Sequence, residues 1–428
     1  MADNDRESRS IEIWEGIRER LRADVDEVVY GPWLEPLTFV ESRGGVVRLA
    51  LPSRFRREWV ADTYGAHILA LWREEDDDIT EVEIVVRSGS RPTPKDDGEK
   101  DNREPQEVKS APAVDSAQED RRGAAAIKSV RVTNRGAKHL NLQPVREQLG
   151  KVGVWSRSPY FYEAEKATSL AVAAEELGYR ALWIPGFDGG HIFERCELAL
   201  KASKRLTIAT GVVNIWRHDP AEVAQTVSKL RAASGGRFLL GIGGSHKFLI
   251  GDAYDKISPL ARMRSYLDEL DAAGLPAEDR LLGALGPRML ALCAERTAGT
   301  HPCFIPPEFT GAAREVLGDG PLLVPEVTVI LESDPSVARA LARRFAGLYF
   351  KGPNYANMLR RFGFIDDDFH GEGSDRLIDA VVAWGDPETI AARVRAHLEA
   401  GADHVAIQSR GPKSEADVWR ELAPRVLG

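Results

Sequence analysis

Cysteine is nearly missing from this sequence: three residues in 428, Cys196, Cys293 and Cys303. The number is odd and no C-x-x-C pair occurs, which argues against a disulfide framework or a structural zinc site and points to a reducing, cytoplasmic setting. Long hydrophobic runs are missing too. The longest apolar stretches fall far short of the roughly 18 residues a membrane-spanning helix requires. The opening MADNDRESRS is polar and charged, unlike a signal peptide. An excess of basic charge is also absent: the net charge is −9, so a chain built mainly to coat nucleic acid is not expected. A phosphate loop of the form G-x-x-x-x-G-K-[ST] occurs nowhere, which excludes that class of ATPase.

What is present is a soluble-protein composition, 43% hydrophobic and 29% charged, over a length that calls for two or three units. Residues 88–127, SGSRPTPKDDGEKDNREPQEVKSAPAVDSAQEDRRGAAAI, lack aromatics and are rich in Pro, Gly, Ser and both charges. Such a stretch cannot bury enough apolar surface to offset its ordering entropy. A disordered linker over 88–146 is expected. Ahead of it, residues 10–87 read as a small α+β domain. A helical stripe runs through Ile13, Ile17, Leu21 and Val25. VVRLALPS reads as a strand, RFRREWVADTYGAHILALWREE as a helix, and ITEVEIVVRS as a strand with Ile79, Val82, Ile84 and Val86 alternating.

From 147 to 428 short apolar runs alternate with amphipathic stretches, from GKVGVWS to DHVAIQS. About eight strand–helix units of this kind predict parallel pairing and a closed (β/α)8 TIM barrel. Asp219-Pro220, Ser258-Pro259, Asp334-Pro335 and Asp386-Pro387 each place a capping oxygen before a proline suited to a first helical turn. Two glycine turns then mark candidate ligand sites on the C-terminal face. GIGGSH follows the fourth strand, with Gly243, Gly244 and Ser245 able to approach a ligand and His246 beside them. ALGPRM places Gly286, Pro287 and Arg288 at a strand-to-helix turn, where free N–H groups and a positive dipole end favour phosphate. AGTHP, with Gly299 and Thr300, is expected to close the same pocket. His191 and His246 are the candidate proton donors.

Two resemblances sharpen this reading. IWEGIRERLRADVDEVVYGPWLEPLTFV…GGVVRLALPSRFRREWVADTYGAHILALWRE…ITEVEIVV resembles the N-terminal domain of the replication initiator DnaA, with Trp14, Trp33, Pro52-Ser53-Arg54-Phe55, Trp59 and Tyr64 in matching places. That implies a KH-like fold and an interaction module whose partner is a replicative helicase or a second copy, with Phe55 facing it. ATGVVNIWRHDPAEVA, GRFLLGIGGSH, ALGPRMLALCAERTAGTHPCFIPPE and GSDRLIDAVVAWGDPETIAARVRAHLEAGADHVAIQ resemble luciferase-like oxidoreductases, most of all the branch using the deazaflavin coenzyme F-420. That implies hydride transfer with a small organic substrate, a homodimer, a cis-peptide bulge around Gly211–Val213 under the cofactor ring, and contacts from Gly211, Val212 and Asn214. It also places the cofactor's phosphate tail at the ALGPRM turn. Trp155-Ser156 at the end of the first barrel strand lacks the acid that several relatives carry there. Two alternatives stand beside this one: an FMN-dependent monooxygenase on the same scaffold, and a replication-linked adaptor acting through residues 10–87 with a non-catalytic barrel.

Overall fold

Glycines 44 and 45, both with positive φ (61° and 79°), turn the chain sharply enough to join two neighbouring strands. This hairpin opens the sheet of the first of two compact units, Met1–Asp115 and Ser116–Gly428. The computed structural model describes residues 2–24, 30, 34–51, 54–86, 140–161, 164–186, 191–246, 250, 254, 257–350 and 352–428. In the first unit β1 (Thr38–Arg43) and β2 (Val46–Leu51) are antiparallel, and β3 (Glu81–Val86) lies parallel to β2. The sequence reading missed β1. Helices Ala2–Asp24 and Arg54–Glu75 belong to the same unit. The buried stripe of the first helix runs through Trp14, Ile17 and Leu21, with Ile13 only half-buried. Trp14 stacks on Trp72 at 6.4 Å and 3° between planes, so Trp14 is a core residue. Phe55 lies in the first turn of helix Arg54–Glu75; its side chain, like that of Trp59 and the whole of Trp33, lies outside the described residues.

The second unit is a curled, wholly parallel sheet wrapped by helices. Its strands are β4 (Val152–Trp155), β5 (Ala181–Gly186), β6 (Thr207–Asn214), β7 (Phe238–Gly243), β8 (Arg280–Leu282), β9 (Gly299–Thr300), β10 (Leu322–Leu323), β11 (Glu326–Ile330), β12 (Val382–Trp384) and β13 (Val405–Arg410). Their order is β10-β9-β8-β7-β6-β5-β4-β13-β11-β12. β10 and β11 are two halves of one strand interrupted at Val324-Pro325. Across the interruption Val324 N–H donates to Thr300 O, and Ala406 N–H to Pro325 O, both at 2.9 Å. The seventh strand thus joins the sixth to the eighth, and the expected eight-strand barrel closes. β12 is an added strip beside β11, carried by a long insertion that includes helices Pro335–Phe350 and Pro353–Arg360. The side chains of Asp219, Ser258, Asp334 and Asp386 all accept N–H bonds from the first turns that follow them. Among the described residues no helix is long and apolar enough to cross a membrane.

The floor of the barrel corrects one boundary. The linker was expected to reach 146, and most of 88–146 lies outside the described residues. Residues 140–146, however, belong to the barrel unit. Helix Gln143–Leu149 lays Leu142 and Leu149 against Trp183, Leu239, Leu281 and Leu322. Arg146 Nε donates to Asp403 at 2.9 Å, and Arg314 holds the other oxygen of the same carboxylate. Apolar side chains at the strand starts need a cover, and this helix supplies it.

Candidate active site at the barrel mouth

β6 is buried throughout except at Gly211 and Val212, which are half-exposed. The peptide between them is cis, and the pairing with β7 slips between Ala209 and Val213. The bulge expected from resemblance is therefore present at Gly211–Val212. It explains the neighbouring glycines. A Cβ on Gly241 would lie 2.0 Å from Thr210 O, and one on Gly243 would lie 2.4 Å from Val212 Cγ2. These two glycines make room for the neighbouring bulge. Gly244 is more open, with Pro259 Cβ at 3.6 Å, and Ser245 adopts a positive φ of 54°. Asn214 is buried; its Oδ1 accepts from Trp216 N–H at 3.0 Å. Trp216 Nε1–H donates to Gly244 O at 2.9 Å.

Behind the bulge stands a column of rings. Trp183 stacks on His301 at 4.3 Å and 11°, and its Nε1–H donates to His404 Nε2 at 3.2 Å. His404 Nδ1 donates to Gly150 O at 2.9 Å, which leaves the imidazole neutral with both nitrogens used. His301 Nδ1 donates to Val324 O at 2.8 Å. Its Nε2 faces Gly211, beside Trp155 Nε1: a Cβ on Gly211 would fall 3.0 Å from the first and 2.4 Å from the second. Burial pushes both histidines down to about 4, so they are uncharged at neutral pH.

Opposite β6 the wall is polar. Glu326 and Thr328 of β11 and Gln408 and Arg410 of β13 alternate with residues packed against the helices. Thr328 Oγ1–H donates to Glu326 Oε1 at 2.8 Å. Burial raises the Glu326 carboxyl to about 7, against that hydrogen bond and the positive charge of Arg410. Cys303 Sγ lies 2.9 Å from Tyr355 Oη, and burial pushes its thiol up to about 12. Phe304, Phe345, Tyr349 and Tyr355 form an aromatic rim, with Phe304 and Tyr349 4.3 Å apart. His246 joins this rim, 6.0 Å from Tyr349 and 5.7 Å from Tyr355, and burial lowers it to about 4.

The other candidates separate. His191 is exposed at the start of helix Ile192–Ala202, with Nδ1 3.0 Å from Glu194 Oε2, and stands apart from the buried wall. Gly286 caps helix Pro287–Arg296, with open space around it and Arg288 exposed in the first turn. Gly299 and Thr300 are corrected. A Cβ on Gly299 would lie 2.0 Å from Leu322 O, and Thr300 Oγ1–H donates to Leu282 O at 2.9 Å. Both are buried in the ladder, pressed against Leu322 and Leu282. Sequence reading missed Trp155, His301, Glu326 and Arg410 as site residues. The usable signal was polar residues at period two in otherwise apolar strands, PEVTV and AIQSR.

A parallel barrel with a bulged third strand, glycines clearing space for the bulge and a polar pocket at its C-terminal end defines the class: barrels that work at the mouth. Residues 149–274 match the family model of luciferase-like monooxygenases, and the unit has the luciferase-like barrel fold. Residues 11–74 match the model of the DnaA N-terminal domain. Two solved structures share the barrel fold. One is an F-420-dependent secondary alcohol dehydrogenase in complex with an F-420–acetone adduct (TM-score 0.51, 16% identity, 64% of this chain and 98% of that one). The other is a coenzyme F-420-dependent tetrahydromethanopterin reductase from Methanopyrus kandleri (TM-score 0.53, 16% identity, 65% and 98%). The chromosomal replication initiator protein DnaA of Ehrlichia ruminantium (strain Gardel) is 38% identical over 86 residues, 20% of this chain. The match spans only 18% of that initiator's length.

Proposed function

We propose that the barrel is an oxidoreductase that uses the deazaflavin coenzyme F-420 to pass hydride to or from a small organic substrate. The observation that carries this reading is the half-exposed Gly211–Val212 bulge, set against Trp155 and His301 in the barrel mouth. Gly211 offers bare backbone, on which a flat heteroaromatic ring can lie closely. Gly286 and the first turn of helix Pro287–Arg296 offer N–H groups and Arg288 to a phosphate tail. The residues present therefore fit the cofactor. When bound, it supplies the hydride chemistry; the protein binds, orients and moves a proton. Two proteins of the same fold are F-420-dependent enzymes, which favours the deazaflavin.

For the proton, Glu326 suits the role better than His191 or His246. It is buried in the wall and titrates near neutrality, whereas His246 is lowered to about 4 and His191 is exposed. The match of residues 149–274 to luciferase-like monooxygenases favours a second reading, an FMN enzyme that activates oxygen. Residues 10–87 serve, on this proposal, as a protein-interaction module whose partner is a replicative helicase or a second copy, with Phe55 in the contact.

The test is a titration of the full chain with F-420 and with FMN, read by fluorescence. Micromolar binding of F-420 with FMN ignored supports the deazaflavin. FMN preference with oxygen consumption supports the monooxygenase. Gly286→Trp is expected to abolish cofactor binding and Gly286→Ala to retain it, because nothing lies within 4 Å of a Cβ there. Unchanged affinity in Gly286→Trp would remove the phosphate site from this turn.

A further inference from the structure

Arg410 is the last residue of β13, at the C-terminal end of the eighth barrel strand. It follows Ala406 and Gln408 on the inward-facing side of that strand. Its Nε donates to Gln408 Oε1 at 3.0 Å, and its guanidinium lies 4.9 Å from the centre of the Phe345 ring. Among the described residues its two terminal nitrogens make no hydrogen bond or ion pair, and the residue is half-buried. Several other arginines of this unit have a carboxylate partner. Arg280 is bonded to Asp271, Arg146 and Arg314 share Asp403, and Arg339 is paired with Asp379. The acid nearest in kind, Glu326, forms no ion pair with Arg410, and burial raises its carboxyl to about 7, so it is only partly ionised at neutrality. Burial and the nearby charge of Arg157 lower the Arg410 guanidinium to about 10, as expected of a cation short of a partner. A fork of unpaired N–H donors under an aromatic rim is a built receptor for a planar anion.

We propose that Arg410 binds a carboxylate of the barrel's substrate, with the apolar body of that substrate lying against Phe304, Phe345 and Tyr349. The substrate class is then an aryl or alkyl carboxylic acid, and this rests on the oxidoreductase reading above. The cofactor has anionic groups of its own, so position matters. Gly286 follows the fifth strand of the closed barrel and Arg410 ends the eighth. Two strands, the sixth and the seventh, lie between them in the eight-strand ring, which sets them well apart around the mouth. A tail anchored at Gly286 leaves Arg410 to a different ligand.

The experiment titrates the full chain, without cofactor, with benzoate, phenylacetate and hexanoate, and with benzamide as the neutral control, by calorimetry. F-420 is titrated separately. Wild type is expected to bind at least one of the acids and to bind benzamide at least tenfold more weakly than benzoate. Arg410→Gln is expected to lose at least tenfold in acid affinity and to keep its F-420 affinity within twofold; Arg410→Lys falls between. Thermal melts check each variant, and Arg410→Met replaces the glutamine variant if that one fails to fold. No acid binding by wild type, or equal binding by Arg410→Gln, overturns the proposal. So does a variant that loses F-420 and keeps the acids, because the arginine then serves the cofactor's tail. Failure to bind F-420 at all sinks the cofactor reading and leaves the acid titration standing as its own result.

Discussion

Replacing Glu326 by glutamine asks whether its carboxyl is neutral in the folded chain. The residue is 3% exposed, and Thr328 donates to it at 2.8 Å. Burial raises it from 4.5 to about 7; the Thr328 bond, the Arg410 charge and the Phe304 N–H oppose the rise without cancelling it. Below the unfolded value the group is protonated in both states and contributes nothing to pH dependence. Between 4.5 and 7 the folded chain holds a proton that the unfolded chain releases, so stability falls as pH rises, by about 1.4 kcal/mol per pH unit. Above 7 the loss is complete, at roughly 3 kcal/mol. Glutamine keeps the shape and one acceptor and carries no such loss. Glu326→Gln should therefore gain on wild type by roughly 3 kcal/mol between pH 4.5 and pH 8. Urea unfolding of the barrel transition, followed by tryptophan fluorescence at several pH values, reads this difference. Parallel pH profiles for the two proteins would refute the reasoning and mean that Arg410 holds the carboxylate ionised.

Two further predictions concern the frame of the site. Gly241→Ala sets a Cβ 2.0 Å from the backbone oxygen of Thr210, which cannot swing away as a side chain would. It should cost about 1–3 kcal/mol in the same unfolding assay, and a neutral result would remove the packing account of the β7 glycines. A chain starting at residue 140 should keep the melting temperature of the barrel transition. One starting at 151 should lose roughly 3–6 kcal/mol, the burial of Leu142 and Leu149. Equal melting temperatures would show that the floor helix covers nothing of consequence.

Much of this architecture was legible in order along the chain. Strand–helix alternation announces parallel pairing, because parallel neighbours need a crossover and a helix is the compact one. Aspartate or serine before proline marks where the helices begin, and all four marked places carry the capping bonds. The hairpin through Gly44-Gly45 was legible in principle and was missed because TFVESR alternates weakly, with few apolar residues. Gly299 and Thr300 show the opposite error. A glycine beside a threonine looks like a turn open to ligand, yet the pair forms a short strand pressed against Leu322.

By itself the sequence determined the kind and order of most of the elements, the caps that start them, and the presence of two units. All of these rest on local periodicity and composition. Only the tertiary structure decided which polar groups meet. Strands of a parallel barrel are buried on both faces, so burial gives no sign of which side turns inward. Closure of the ring then brings the last strand beside the first, and Glu326 and Arg410 onto the wall facing Gly211. No local pattern records that meeting, because it depends on register between residues up to 199 positions apart, Gly211 and Arg410.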